Sequence, residues 1–195
     1  MFKGLKVLIA SLLISSFVYA SQAQTADKFT ITSIDDKKIE VIGTQDGLTF
    51  PQFKGQVVIV EFWGTHCPPC LMSIPHYINL TKEYKDKFKL IAIEVQMTPK
   101  EQLLRFVKAK NINYLVFEQS QNIDFVRYLS HRAWWRGAIP FLVSFDKNGK
   151  VLTIQKGMVG EDFVKKVIEF GLKDNPSETT TSKEQNKTTD NNKTK

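Results

Sequence analysis

The run Val57-Val58-Ile59-Val60-Glu61-Phe62-Trp63-Gly64-Thr65-His66-Cys67-Pro68-Pro69-Cys70 decides the fold. Its first seven residues are apolar except for Glu61. A strand with one wet face alternates apolar and polar side chains, so this near-continuous run predicts a strand covered on both faces. Gly64 breaks it. Beyond Cys70, the residues Leu71, Ile74 and Ile78 recur at helical spacing and predict a helix with that face inward. A buried strand leading into a helix is half of an α/β unit.

Cys67 and Cys70 are the only cysteines among the 195 residues. Two are too few for a disulfide-stapled scaffold or a four-cysteine zinc site. A link across so short a loop stabilises a fold by only about 2 kcal/mol in the chain-entropy model, so chemistry explains the pair better than stapling. A helix N-terminus behind the pair favours a thiolate at Cys67 through its dipole and free N–H groups. Cys70, one turn in, is placed to attack a mixed disulfide formed at Cys67. Covalent haem attachment needs histidine directly after the second cysteine, and position 71 is leucine. No motif for a peroxidatic cysteine surrounds either residue. Copper held by His66, Cys67 and Cys70 stays open as an alternative.

Working outward, Phe29 to Ile34 and Lys38 to Ile42 alternate in character around Asp35-Asp36 and read as a hairpin. Turns fall at Gly47 and at Pro51 to Gly55, and Lys89 to Val95 reads as a strand. Thr98-Pro99-Lys100-Glu101 has the form of a helix start, with an N-cap, a proline in first position and a capping-box acid. The helix it opens carries Leu103, Leu104 and Val107 on one face. Tyr114 to Phe117 reads as a strand and Asn122 to about Arg132 as a helix. Phe141 to Phe145 and Val151 to Ile154 pair across the turn Asp146 to Gly149, and Glu161 to Leu172 closes the domain with Val164, Val167 and Ile168 inward. The order predicts an α/β sandwich with a mixed sheet.

The two ends read as separate from this domain. Lys3 and Lys6 precede an apolar stretch, Val7 to Val18, followed by small residues. That is the pattern of a signal peptide over 1–20, with a second cleavage position after 23. An uncleaved anchor is the other reading of the same stretch, and no cysteine follows it to carry a lipid. Residues 175–195 hold no aliphatic or aromatic side chain and are expected to be disordered. Within them Asn186 and Asn192 each begin an Asn-x-Thr acceptor with an acid two residues earlier, which resembles the acid-extended sequon of bacterial N-linked glycosylation. The formal charge is +7. Lys3 and Lys6 give the leader +2, and four lysines against three acids give the tail +1. The +4 left on 21–174 is spread without a block of like charge, which argues against a nucleic-acid partner.

Taken together, Trp63 to Cys70, Pro75 five residues after Cys70, and Gly137-Ala138-Ile139-Pro140 resemble a thioredoxin fold. The helix over 99–110 and strand over 114–117 resemble the insertion of the TlpA/ResA-like branch of exported thiol–disulfide oxidoreductases. The similarity spans about Lys28 to Leu172. It implies a mixed central sheet flanked by helices, an N-terminal β-hairpin and a helix–strand insertion. It also implies roles: Cys67 as exposed nucleophile, Cys70 as buried resolving thiol, Pro75 as a kink, and Ile139-Pro140 as a cis peptide whose backbone pairs with an incoming substrate strand. Glu61 takes the place of the buried acid that relays a proton to the resolving cysteine. Burial would raise its pKa, unless the side chain reaches solvent at the sheet margin. No metal and no bound cofactor are expected; the redox group is the Cys67–Cys70 pair itself.

Two residues depart from the family pattern. His66 replaces the usual tryptophan and is either a cation that lowers the Cys67 pKa or an exposed spectator. Ser73 replaces the acid of ResA-like proteins, which argues against dedicated cytochrome c maturation. Pro68 and Pro69 have no N–H, so Cys70 supplies the main backbone donor to a Cys67 thiolate. A less stabilised thiolate makes a weaker oxidant, with a potential nearer about −270 mV than about −120 mV. Trp134 and Trp135 form either an apolar patch for unfolded substrate or part of the core, with Trp135 the one assigned to substrate. His76 and His131 read as structural or solvent-facing.

The expected protein is a monomeric periplasmic reductant of protein disulfides. Apocytochrome c is a client by resemblance, and a membrane thiol carrier recharges the enzyme. A disulfide oxidase or isomerase, a copper carrier and a non-catalytic interaction module are the alternatives.

Overall fold

In the computed structural model, which describes residues 26–173, the chain opens with β1 (Lys28–Thr32), β2 (Lys38–Gly43) and β3 (Leu48–Thr49). A 3-10 turn at Pro51–Phe53 leads to β4 (Val57–Trp63), α1 (Pro68–Glu83), β5 (Phe88–Glu94), α2 (Lys100–Ala109) and β6 (Leu115–Glu118). A second 3-10 turn precedes α3 (Ile123–Arg132), followed by β7 (Phe141–Phe145), β8 (Val151–Lys156) and α4 (Glu161–Gly171). The expected leader, the tail and both acceptors, Asn186 and Asn192, lie outside the described residues. Among those residues no helix is long and apolar enough to cross a membrane.

The central sheet has the order β6-β5-β4-β7-β8. β4, β5 and β6 run parallel, β7 pairs antiparallel with β4, and β8 antiparallel with β7, so the sheet is mixed. β4 lies in the middle, and every one of its seven residues is buried. Because side chains alternate across a strand, Val58, Val60 and Phe62 join one apolar cluster while Val57, Ile59 and Trp63 join the other. The first cluster is closed by α3 and the N-terminal sheet through Phe125, Leu129, Ile31 and Val41. The second is closed by α1, α2 and α4 through Ile74, Leu80, Leu103 and Ile168. Together the fold is a thioredoxin-like sandwich.

The expected hairpin is present, with a third strand added to it. β3 extends it to a three-stranded antiparallel sheet, pairing Gly43 with Leu48 and Ile42 with Thr49. Two residues of strand between turns offer too little pattern to be read from sequence. Asn122, nearly buried, fastens this sheet to the central one. Its Oδ1 accepts the Thr32 N–H at 2.7 Å, and its Nδ2 donates to the carbonyls of Thr32 at 3.0 Å and Glu118 at 2.8 Å.

Four local expectations are corrected. Thr98 is not the N-cap of α2, which begins at Lys100 with Pro99 in the cap position and no side-chain cap. Glu94 has taken both donors of Thr98, the N–H at 3.0 Å and the hydroxyl at 2.7 Å. On α2 only Leu103 is buried and Leu104 faces solvent, because the helix rides at the sheet edge rather than over its centre. On α1 the buried face is Cys70, Ser73, Ile74, Tyr77 and Leu80, so Leu71 and Ile78 flank the interface. Val167 of α4 is likewise half-buried beside the buried Val164 and Ile168.

Replacing Asn122 with Ala removes three hydrogen bonds and leaves strand groups unpaired, a cost of about 2 kcal/mol. Urea unfolding should show that loss, and a change under about 0.5 kcal/mol would mean the N-terminal sheet is held elsewhere.

Candidate active site

The site sits where β4 hands over to α1. Pro68 and Pro69 occupy the first helical turn, where a missing N–H costs nothing. Cys67 is the N-cap residue, extended at φ −109° and ψ 100°. It is joined to Cys70 by a disulfide with Cα atoms 5.2 Å apart. The Cys70 N–H points at Cys67 Sγ across 3.3 Å, the one donor that the two prolines leave in the turn. Pro75 lies inside α1, which continues through it to Glu83.

Cys67 is not exposed as expected: it shows 6% of its surface, against 2% for Cys70. The order of accessibility holds, but the disulfide lies within the apolar cluster of Trp63, Ile74 and Leu142, with Ile139 packed on it. The Ile139-Pro140 peptide bond is cis.

The tryptophan pair divides. Trp135, assigned to substrate from the sequence, is half-buried with its ring 4.7 Å from that of Phe62, and its Nε1 donates to the Ala138 carbonyl at 2.7 Å. Trp134 is the outward one, 69% exposed, with the Arg136 guanidinium over its ring. Consecutive residues rarely share a face, and Trp134 holds a left-handed backbone at φ 56° that sends its ring away.

Glu61 is 2% exposed, on the β4 face shared by Ile59 and Trp63, toward α1. It does not reach solvent at a sheet margin. One carboxylate oxygen, Oε1, is buried without a hydrogen-bond partner. Desolvation pushes its pKa up to about 8, and a hydrogen bond from Tyr77 partly offsets this. The Tyr77 hydroxyl is itself pushed well above its usual range by burial and by the Glu61 charge, and it also contacts Ser73. Tyr114 stands edge-on to Tyr77 at 6.1 Å, and burial raises its hydroxyl too. Cys70, Ser73 and Tyr77 lie at successive positions three and four apart, so one face of α1 carries the thiol, the serine and the phenol. From sequence the apolar Leu71 and Ile78 draw the predicted face away from Tyr77, although its spacing from Cys70 puts it on the thiol's side.

His66 is exposed. Its backbone N–H donates to Gln96 Oε1 at 2.8 Å, and its Nδ1 lies 3.0 Å from Thr65 Oγ1. His131 is also exposed and His76 half-buried. Among the described residues no group of three or more His, Cys, Asp or Glu could hold a metal ion. The two sulfurs are joined to each other.

Comparison with known proteins places this geometry. A family profile described as Redoxin matches residues 30–169. The thiol-disulfide oxidoreductase ResA of Bacillus thuringiensis subsp. konkukian is 31% identical over 149 residues, covering 73% of this chain and 76% of that protein. The crystal structure of a thiol:disulfide interchange protein of the thioredoxin family from Chlorobium tepidum superposes with a TM-score of 0.62 at 22% identity, covering 76% of this chain and 95% of that one. StoA from Bacillus subtilis gives 0.56 at 19%, covering 73% and 97%.

The Glu61 environment sets a pH dependence. Folded Glu61 keeps its proton up to about 8, whereas the unfolded chain loses it near 4.5. Between those values the native state binds more protons, so stability falls as pH rises, by up to about 1.4 kcal/mol per unit, and levels off above. Urea unfolding of the oxidised protein at pH 5, 7 and 9 should show wild type losing ground to Glu61→Gln across that window. Parallel curves would mean the carboxylate is solvated. Tyr77→Phe, which removes the offsetting hydrogen bond, should carry the fall to higher pH.

Proposed function

The chain belongs to the Redoxin family and is a protein thiol–disulfide oxidoreductase, and on that premise we propose that it serves outside the cytoplasm as a reductant of protein disulfides. The observation that carries the direction is the Cys67 environment, in which two prolines leave Cys70 as the backbone donor to the sulfur. A thiolate with few donors is less favoured, and its disulfide is a weaker oxidant.

In the proposed cycle the Cys67 thiolate attacks one sulfur of a substrate disulfide. A new S–S bond forms, and the substrate's other sulfur leaves as a thiolate and takes up a proton. Cys70 then loses its proton and attacks Cys67 Sγ, which breaks the mixed disulfide and releases the second substrate thiol. Two electrons pass to the substrate, and the enzyme is left as the Cys67–Cys70 disulfide. Glu61 is proposed to take the Cys70 proton. It acts in its ionised form, the minor one at pH 7 because burial raises its pKa to about 8, so resolution should speed up as pH rises toward that value. Tyr77 and Ser73, on the same face of α1, are proposed to line that route.

Substrate is proposed to pair with the backbone at Ile139-Pro140 and to rest on Trp134. Recharging is assigned to a membrane thiol carrier, since a periplasm holds no thiol buffer for the purpose. The leader pattern over 1–20 supports export, with apocytochrome c as a client class and the protein acting as a monomer.

Three measurements check the reading. The reduction potential of the Cys67–Cys70 couple should lie below about −180 mV; a higher value would reassign the enzyme to oxidation or isomerisation. Cys70→Ser should accumulate mixed disulfides at Cys67 that a further Cys67→Ser change abolishes, and no trapped species would remove the protein-substrate assignment. Glu61→Gln should slow resolution of the mixed disulfide in otherwise wild-type protein, and unchanged rates from pH 6 to 9 would take Glu61 out of the route.

A further inference from the structure

β5 ends in a second buried carboxylate that the route at Cys70 does not use. Glu94 is fully buried and lies opposite Trp63 in the β4–β5 register. Its Oε2 accepts the Thr98 N–H at 3.0 Å and its Oε1 accepts the Thr98 hydroxyl at 2.7 Å. Thr98 Oγ1 is 2.9 Å from Thr65 Oγ1, which is 3.0 Å from His66 Nδ1. Four side chains thus form an unbroken row from the sheet to the residue before Cys67.

The row has a direction. A carboxylate accepting on both oxygens is an acceptor only. Thr98 has one hydroxyl proton, and it goes to Glu94, so Thr98 accepts from Thr65. The Thr65 proton is then also committed, so Thr65 accepts from the ring. His66 must therefore carry a proton on Nδ1 whether neutral or charged, the reverse of the Nε2–H form that a free imidazole prefers.

The backbone is built to keep this alignment. Met97 takes a left-handed conformation at φ 61°, which folds Thr98 back onto Glu94. Gln96, one residue earlier, grips the His66 N–H, and a Cβ at Gly64 would collide with the Gln96 amide. The other charges facing the row are accounted for. Glu118 stands beside Glu94 in the β5–β6 register and accepts from Ser120 Oγ at 3.3 Å. Lys100 is paired with Asp36 at 2.8 Å, Glu101 is exposed in the first turn of α2, and Cys67 is the titratable neighbour of the ring along the chain.

We propose that Glu94 is a positioning residue for His66, holding the imidazole through Thr98 and Thr65 as an Nδ1–H donor and leaving Nε2 as its open proton site beside Cys67. In this form Nε2 is the ring nitrogen free to take up the Cys67 proton, which favours the thiolate. The functional consequence rests on the reading of Cys67 as the attacking thiol; the tautomer does not.

The test is long-range ¹H–¹⁵N correlation of the labelled, reduced protein, with Cys67 alkylation by iodoacetamide at pH 7 in a Cys70→Ser background. Wild type should show neutral His66 as Nδ1–H. Thr98→Val frees Thr65 to donate to Nδ1, so the ring should change to Nε2–H and Cys67 alkylation should slow about threefold to tenfold. Thr98→Ser, which restores the hydroxyl, should rescue both. Glu94→Gln keeps one acceptor and gains a donor: with its oxygen on the Thr98 N–H, its amide N–H must donate to the Thr98 hydroxyl, which reverses the row, so the ring should change to Nε2–H as in Thr98→Val. An Nε2–H ring in wild type, or a tautomer and alkylation rate unmoved by Thr98→Val, overturns the proposal. Either result leaves the disulfide chemistry standing. Conversely, an Nδ1–H ring in a protein that traps no substrate disulfide removes the reductant reading alone.

Discussion

Everything in this fold follows from the burial of β4 on both faces. Seven consecutive residues without water need two covering layers, which α1, α2 and α4 supply on one side and α3 with the N-terminal sheet on the other. Burial also fixes what the strand delivers. Its C-terminal end cannot continue past Gly64, and the chain turns there into a helix whose N-cap is Cys67. A rigid strand end and a helix start hold the cysteine pair, so its geometry does not depend on a mobile loop.

The same constraint gives Glu61 its chemistry. A carboxyl on an exposed strand would be an ordinary solvated acid. Placed toward α1, with one oxygen unpartnered, it holds its proton to about pH 8. That is a cost to folding at neutral pH and above, and large apolar side chains on the same strand, each contributing about 1.5–3 kcal/mol, offset it. Retaining such a cost in the best-buried strand argues for a use, and a thiol one layer away supplies one.

What could be read from sequence depended on how far each determinant lay from its neighbours along the chain. β4, the Cys67–Cys70 turn and the β7–β8 hairpin announce themselves through contiguous pattern and turn residues. Asp146 even caps its own turn, accepting the N–H groups of Asn148 and Lys150. The face of α1 was misjudged because Leu71 and Ile78 are apolar and Ser73 is not, whereas burial follows the disulfide and Tyr77. Thr98 reads locally as a helix cap, and nothing local shows that Glu94 four residues earlier has claimed it. The position of Asn122, reaching back 90 residues to Thr32, has no sequence signature.

The two buried acids near the disulfide differ in satisfaction rather than in depth. Glu61 and Glu94 are both essentially without solvent contact. Glu94 has partners on both oxygens, one of them a backbone N–H that cannot move without unwinding the turn at Met97. Glu61 has an empty acceptor and a phenol that can donate or rotate. A carboxylate whose bonds are complete is held in one state and can orient what it touches; one whose bonds are incomplete can change state at little cost. That difference in hydrogen bonding supports the proposed roles, Glu94 holding the His66 side of the disulfide and Glu61 exchanging a proton on the Cys70 side. On that assignment the two thiols differ because each faces a different kind of buried acid.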